Sequence, residues 1–257
     1  MYSIIKSQFF GLGRDMCTYI ALAMAVVETI VCAIDSLEMF GGTYTGSISF
    51  IATGQSASML SIMIVCMFAT RLCGWDFNDK TINYEVMYGH SRSDIWFART
   101  ISAVLFSSVI GFIIPMFPVL IFTISNGWGY AIPVGQAVLR SLIFVLVLIR
   151  FASVCVLFTF MTKNSWAAFL TSFLLFDGEA MLSMFFEFKP YLTSATASMD
   201  VLLLENQAYG YVNGEDVIIF KDILSGEFIA GSVIASVVVI ALALFGSYKL
   251  FSKCDLR

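Results

Sequence analysis

The chain is 257 residues long, 59% of them hydrophobic and 12% charged, with a formal net charge of −4 at pH 7. A soluble domain carries about 25% charged residues, so this composition excludes an ordinary soluble enzyme and predicts one polytopic membrane domain over residues 1–257. The sequence has no P-loop and no metalloprotease or serine-hydrolase motif, and its 6 cysteines have no metal-binding spacing. We therefore expect no catalytic residue, no cofactor, no metal and no nucleic-acid partner for this chain.

Six hydrophobic runs predict an all-α protein with six transmembrane helices. Each run is near the ~20 residues that cross a hydrocarbon core, and a helix satisfies its own backbone hydrogen bonds there. The residues before the first run either form an amphipathic helix on the inner membrane surface or simply lead into the membrane. The runs are residues 16–36, 55–75, 100–124, 136–162, 166–186 and 228–251.

Basic residues set the orientation of these helices. With the N-terminus inside the cell, the outer loops hold only Lys189 and Lys221, and Lys and Arg in short loops favour the cytoplasmic side. We therefore expect both termini in the cytoplasm and the chain in the plasma membrane of a bacterial cell. The basic residues of the inner side are Lys6, Arg14, Arg71, Lys80, Arg92, Arg99, Lys163, Lys249, Lys253 and Arg257.

A long polar interruption, residues 76–99, separates the second and third runs. Asn78 is a suitable N-cap for a short helix that begins at Asp79 and has an acid in its first turn. Gly89 follows the helical pattern as a stop signal, and Ser91-Arg92-Ser93-Asp94 resembles a capping box that opens the next helix. The pattern predicts a cytoplasmic loop with one short helix, presented to a soluble partner.

The motifs Lys80-Thr81-Ile82-Asn83 and Gly89-His90-Ser91-Arg92, followed by a helix that enters the membrane, resemble the first intracellular loop of type-2 ABC export permeases. The layout of the whole chain is similar to that family as well. The resemblance implies that a coupling helix at residues 79–88 docks onto a separate ATPase subunit, which binds ATP and Mg²⁺. It also implies an assembly of two ATPase subunits and two permease subunits, the second permease being the same or a related chain.

The resemblance further implies what the loop and the transporter do. Lys80, Glu85 and Arg92 would make the polar contacts with the ATPase, and Ile82, Val86 and Met87 the apolar ones. The substrate would be a peptide or an amphiphile, as for short lantibiotic-immunity permeases. For the loop itself, the alternative is a plain connector between two helices. The predicted coupling loop comprises Asp76, Asp79, Lys80, Ile82, Glu85, Val86, Met87, Gly89, Ser91 and Arg92.

Two prolines, Pro115 and Pro118, interrupt the third run. Each removes a backbone donor, so a kink or a break is expected there. The bend is either a static kink filled by neighbouring side chains or the mark of a moving segment.

Charged residues also lie inside the runs. Arg150 and Asp177 each lie twelve residues from the short turn that joins the fourth and fifth runs, about 18 Å from the inner boundary, and Glu28 and Glu179 reach a similar depth. Charges at this depth cost about 3 kcal/mol each on insertion scales, so they should face the protein interior. An Arg150–Asp177 ion pair is the structural interpretation. A lining of the substrate path or a proton relay is the functional one.

Residues 187–226 form the one sizeable outer loop and are net acidic. Residues 199–204 predict a short helix packed on the outer surface, and Asn213-Gly214 marks a turn. The acidic charge either attracts cationic substrates or is a solvated face.

The sequence leaves two other classes of function open. A secondary transporter would couple protons through Glu28, Asp177 and Glu179, but the halves of the chain show no internal repeat. A membrane enzyme would need a nucleophile with a base, and no such pair is recognisable. The membrane-spanning subunit of an ATP-driven exporter is therefore the leading hypothesis.

Overall fold

The structure is a computed structural model that describes Lys6, Gln8, Phe10, Gly11 and residues 15–39, 45–78, 87–89, 91–186, 189–204, 207–212, 215–220 and 222–253. It is predominantly helical, as the composition predicts. Its helices are α1 (Met16–Met39), α2 (Gly46–Asn78), α3 (Arg92–Ile113), α4 (Phe117–Asn126), α5 (Val134–Thr162), α6 (Ser165–Phe185), α7 (Ser194–Leu202) and α8 (Gly226–Ser252). Two strands, β1 (Gln207–Val212) and β2 (Glu215–Phe220), lie between α7 and α8.

Among the described residues, three helices are long and apolar enough to cross a membrane, namely α3, α5 and α8. The segments Gly46–Gly54 and Ser58–Gly74 of α2 meet at 70° and add a fourth if they form one span. Shorter apolar helices occupy Met16–Val31 and Phe117–Asn126. The fold is therefore compatible with a membrane protein. The hydrophobic runs correspond to α1, α2, α5, α6 and α8, with the third run divided between α3 and α4.

Helix α5 lies at the centre of the bundle, since it packs against α2, α3, α6, α7 and α8. Its 29 residues carry apolar side chains at spacings of three and four, which place them on one helical face. Phe144, Leu148, Phe151 and Cys155 on this face are almost completely buried. The other helices are arranged around this core.

The helix ends define two ends of the bundle. The basic end contains the start of α1, the end of α2, the start of α3, the α5–α6 turn and the end of α8. A Cβ added to Gly74 in α2 would lie 2.8 Å from the Cβ of Ser165 at the start of α6, and Arg92 Nη1 donates to the carbonyl of Ser252 at 3.4 Å. The described basic residues at or near this end are Arg71, Arg92, Arg99, Lys163, Lys249 and Lys253.

At the opposite end, backbone hydrogen bonds join the start of α2 to the connection between α4 and α5. The N–H groups of Gly46 and Ser47 donate to the carbonyls of Gly127 and Trp128 at 2.9 and 2.7 Å. The N–H of Phe220 in β2 donates to the carbonyl of Ala131 at 2.9 Å. The hairpin is thus attached to the opposite end of the bundle.

The third hydrophobic run is broken at its prolines. Helix α3 ends at Ile113 and α4 begins at Phe117, with Pro118 in its first turn and Pro115 in the intervening turn. Pro115 lacks an N–H and its ring collides with the carbonyl four residues earlier, so α3 cannot continue through it. Pro118 is tolerated because the first turn of a helix needs no intrahelical donor.

The segment between α6 and α8 corrects two predictions. Its short helix is α7, residues Ser194–Leu202 rather than 199–204, and it packs against α2, α5 and α6 instead of on an outer surface. Ala195, Ala197 and Ser198 are 0% exposed, because small side chains allow neighbouring helices to approach closely. The all-α prediction also missed the antiparallel hairpin, which pairs Val212 with Glu215. The predicted turn at Asn213-Gly214 lies outside the described residues.

Candidate docking surface and buried charged site

The predicted coupling loop lies at the basic end, between α2 and α3. Its residues Asp79, Lys80, Ile82, Glu85 and Val86 lie outside the described residues. Asp76 and Asn78 belong to the last turn of α2, and the short helix that Asn78 is predicted to cap lies outside the described residues. The ring of Phe77 packs edge-to-face on Phe160 of α5, with 5.7 Å between centroids, and α2 continues beyond the apolar run to Asn78.

Apolar side chains are exposed in the described part of the loop. Met87 is 81% exposed and Tyr88 is 85% exposed. Gly89 has φ of +87°, a left-handed conformation that glycine adopts without steric cost. Gly89, the predicted stop signal, therefore has a conformation that favours glycine, directly after two exposed apolar residues.

Ser91 fixes the start of α3, as the Ser91–Asp94 pattern predicts. Its Oγ accepts a hydrogen bond from the Asp94 N–H at 3.1 Å and donates to the Asp94 carboxylate at 2.7 Å. The cap satisfies one of the orphan donors of the first turn. Arg92 follows the cap and reaches the last turn of α8 through Ser252, so the loop's second flank is fixed against two helices.

Arg150 does not form the predicted ion pair with Asp177 among the described residues. It lies in the middle of α5, is 2% exposed, and donates through Nη1 to the carbonyl of Tyr191 at 3.1 Å and through Nη2 to the carbonyl of Leu192. Backbone carbonyls thus take the place of the expected carboxylate. They belong to the segment directly before α7.

Glu179 of α6 binds the beginning of the same short helix. Its Oε2 accepts from the N–H groups of Ser194 and Ala195 at 2.8 and 3.3 Å. A carboxylate at this position satisfies orphan N–H groups and interacts favourably with the positive end of the helix dipole. Glu179 also lies near enough to Arg150 to interact electrostatically with it.

Arg140 holds the other end of α7. Its Nη1 donates to the carbonyls of Val201 and Leu203 at 2.7 and 3.2 Å, and its Nη2 donates to the carbonyl of Asp222 at 3.0 Å. A cation at a helix C-terminus binds carbonyls that have no intrahelical partner and is stabilised by the dipole. The same side chain connects α7 to the chain that follows the hairpin.

The spacing of the two arginines matches the length of α7. Arg140 and Arg150 are ten residues apart on α5, about 15 Å along its axis, and the 9 residues of α7 extend about 13 Å. Because Glu179 lies six residues before the end of α6, the chain turns back by roughly 9 Å to reach it. We call residues 191–204 the re-entrant segment, since it returns into the bundle between α2, α5 and α6.

The remaining predicted charges are placed differently. Asp177 is half-buried on α6, and two residues along a helix turn a side chain by about 200°, which directs it away from the face that Glu179 uses. Glu28 is 9% exposed, on the side of α1 that also buries Ala21 and Ala25. Of the predicted layer, the structure brings together Arg150 and Glu179.

Sequence reasoning missed the role of Arg140. The signal was present, because a second arginine inside an apolar run must find buried acceptors. Its acceptors are main-chain carbonyls more than sixty positions away, and main-chain groups leave no pattern in a sequence. In comparisons with known proteins, no family model and no curated sequence matches this chain.

Proposed function

We propose that this protein is the membrane-spanning subunit of an ATP-driven exporter, with ATP hydrolysis on a separate ATPase subunit that docks at the loop between α2 and α3. Six spans with cytoplasmic termini, a coupling helix at residues 79–88 and a second permease subunit belong to this proposal. The substrate would be a peptide or an amphiphilic compound moved out of the cell.

One observation carries the proposal. Met87 and Tyr88 are more than four-fifths exposed, at the end of the bundle where most of the described basic residues lie. Exposed apolar side chains rimmed by polar residues mark protein–protein or membrane contacts. Both flanks of the loop are held, by Phe77 against Phe160 on one side and by the Ser91 cap on the other. A push on this loop would therefore move α2 and α3 directly.

The test is co-purification of the tagged full-length chain from native membranes in mild detergent, followed by an ATPase assay. Glu85→Ala, Lys80→Glu and Met87→Glu alter the loop, while Lys189→Gln alters an exposed charge at the opposite end. We expect an ATPase subunit to co-purify with the wild type and with Lys189→Gln. The three loop variants should lose the subunit or uncouple its activity from transport.

Two results would reject the proposal. The first is purification of the chain alone, with transport in vesicles that lack any ATPase. The second is an associated ATPase that is unaffected by all three loop variants. The first result would favour proton coupling, and Glu28→Gln and Asp177→Asn would then be assayed for loss of proton-driven uptake.

A further inference from the structure

Two cysteines that are far apart in the sequence come together in the core of the bundle. Cys66 of α2 and Cys155 of α5 are both 0% exposed, and the thiol of Cys155 lies near that of Cys66. The cysteine spacing of the sequence predicts no metal site, whereas the packing of α2 against α5 forms a pair of neighbouring sulfur atoms.

Helix α6 adds two polar groups to this pair. Cys66 Sγ donates to the carbonyl of Phe169 at 3.4 Å. Ser172 is 0% exposed, and its hydroxyl lies near Cys155 with no hydrogen-bond partner among the described residues. Cys155 is seven residues before the end of α5 and Ser172 is seven residues after the start of α6, so both lie about 10 Å from the turn that joins these helices. The unpartnered hydroxyl is thus available to a charged sulfur atom.

A cavity of about 250 Å³ adjoins the thiol pair and leads to it from the start of α1. Its lining includes three residues with sulfur, Met16, Cys17 and Met67. Met67 directly follows Cys66 in the chain, and Phe169, whose carbonyl binds Cys66, lines the same cavity. Met16 is 73% exposed. A small ion that enters beside Met16 therefore meets sulfur-containing side chains before it reaches the buried pair.

The donors restrict the kind of ion. Within the part of the chain that the structure describes, no three His, Cys, Asp or Glu side chains come together as a metal site. Zn²⁺ takes four ligands in structural sites and three protein ligands in catalytic ones, and Ca²⁺ and Mg²⁺ bind oxygen. Cu⁺ prefers soft thiolate and thioether sulfur, and it forms stable complexes with two sulfur atoms. Two buried thiols are therefore suited to Cu⁺.

We propose that Cys66 and Cys155 bind one Cu⁺ ion in the core of the bundle. The ion replaces the proton of Cys155, which leaves as H⁺, so the net charge of the site is unchanged. This balance matters because an unpaired charge in an apolar interior is costly. Copper remains Cu⁺ throughout, and no electron is transferred.

The polar groups of α6 stabilise this arrangement. Ser172 donates its hydrogen bond to the thiolate of Cys155, and a hydrogen bond to a charged acceptor is stronger than one to a neutral acceptor. Cys66 binds the ion through a sulfur lone pair and keeps its proton on the carbonyl of Phe169. The site is a property of the bundle and does not depend on the exporter function proposed above.

The test is a titration of the purified full-length chain with Cu⁺ in detergent, without oxygen and in competition with a chromophoric Cu⁺ chelator. The wild type should bind one ion tightly. Cys155→Ala and Cys66→Ala each remove a ligand and should weaken binding by more than about a hundredfold, whereas Ser172→Ala removes only an outer partner and should weaken it by about tenfold.

Cys73→Ala is the matched control. Cys73 also lies on α2, is 0% exposed and donates to a backbone carbonyl, that of Arg99, at 3.7 Å. Its removal should leave the affinity for Cu⁺ unchanged. An equal loss of affinity in Cys73→Ala and Cys66→Ala would show that the loss of any buried thiol disturbs the protein, and it would reject the site.

The alternative is that Cys66 and Cys155 only pack as small apolar side chains, as buried cysteines commonly do. A wild type that binds no Cu⁺ against the chelator, or a Cys155→Ala variant with wild-type affinity, would establish that alternative. If a cysteine variant fails to fold, Ser172→Ala decides, because it retains both thiols. Wild-type affinity in Ser172→Ala would then reject the proposed arrangement.

Discussion

The loop between α2 and α3 and the re-entrant segment stabilise short pieces of chain in different ways. At the loop, the exposed hydroxyl of Ser91 caps α3, and Arg92 beside it donates to the carbonyl of Ser252 at the surface. In the re-entrant segment, Arg140, Arg150 and Glu179 are embedded in the bundle and bind main-chain groups at both ends of α7. The loop leaves apolar side chains exposed, whereas the re-entrant segment has charged side chains bound to the backbone at both ends of its helix.

The difference follows from the surroundings of each region. Buried N–H and C=O groups need partners from the protein or from bound water, and long charged side chains supply those partners here. A surface loop has water for the same purpose. Arg140, Arg150 and Glu179 therefore bind the backbone at the two ends of the re-entrant helix.

The largest effect is expected for Glu179. Glu179→Ala removes the acceptor of two helix N–H groups and leaves Arg150 without its nearby carboxylate, so the free energy of unfolding should fall by about 3 kcal/mol. Asp177→Ala, two residues away on another face of α6, is the matched control and should cost far less. Thermal unfolding in detergent, followed by tryptophan fluorescence, measures both. A larger loss for Asp177→Ala would restore the Arg150–Asp177 ion pair as the better description.

Arg140 should come next. Arg140→Met leaves the carbonyls of Val201, Leu203 and Asp222 without their donor, which should cost about 2 kcal/mol. Arg140→Lys keeps the charge but loses the planar fork that reaches several carbonyls, so its loss should be smaller. Proteolysis of the β1–β2 hairpin provides a second readout, because Arg140 also fixes the chain that follows it. Equal stability of Arg140→Met and wild type would show that these contacts contribute nothing.

Close packing of the re-entrant segment is tested at Gly54. A Cβ at this position would lie 2.9 Å from the carbonyl oxygen of Leu202, and a backbone atom cannot move aside easily. Gly54→Ala should therefore destabilise the protein by about 2 kcal/mol. Gly178→Ala is the control, because a Cβ there meets nothing within 4 Å and alanine in a helix is favoured by up to about 1 kcal/mol. Opposite signs for the two variants are expected in the same unfolding assay.

The sequence predicts the parts of this fold that depend on local patterns. Apolar runs of helical length locate α1, α2, α5, α6 and α8. Ser91 and Asp94 indicate where α3 begins, and Pro115 explains where it ends. Each of these signals is contained in a few neighbouring residues. The Asn213-Gly214 turn signal likewise falls between the two strands, although the strands themselves were not predicted.

The partners of Arg150 and Arg140 follow from no local pattern. A depth argument places Arg150, Asp177 and Glu179 at one level, but it does not resolve which face of α6 each acid occupies. The acceptors of Arg150 are carbonyls of Tyr191 and Leu192, in a segment whose mixed small and polar residues resemble an outer loop. Long-range main-chain contacts determine this part of the fold, so it could be found only from the structure and not from the sequence.

The fourth prediction concerns Ser91, in the exposed loop between α2 and α3. Ser91→Ala removes the cap from α3 and should cost about 1 kcal/mol. Hydrogen exchange should accelerate in the first turn of α3 and leave α7 unchanged. Ser93→Ala removes a neighbouring hydroxyl that caps no backbone N–H and serves as the control. Faster exchange throughout the bundle would contradict the view that this cap acts locally.

The smallest effect is expected for the ion pair of Lys189 and Glu227. Lys189 lies two residues before Tyr191, whose carbonyl Arg150 binds. The side chains of the ion pair are 62% and 66% exposed, so water and salt screen the attraction. The hydrogen bond and negative charge of Glu227 raise the pKa of Lys189 above its ordinary value of 10.5. Whatever the pair contributes is thus fully present below that value and is lost only as the pH rises through the raised pKa. Lys189→Gln should leave the melting temperature unchanged near neutral pH, whereas Arg150→Gln should lower it clearly. If both variants lowered the melting temperature by a similar amount, burial would not explain which charges contribute to stability.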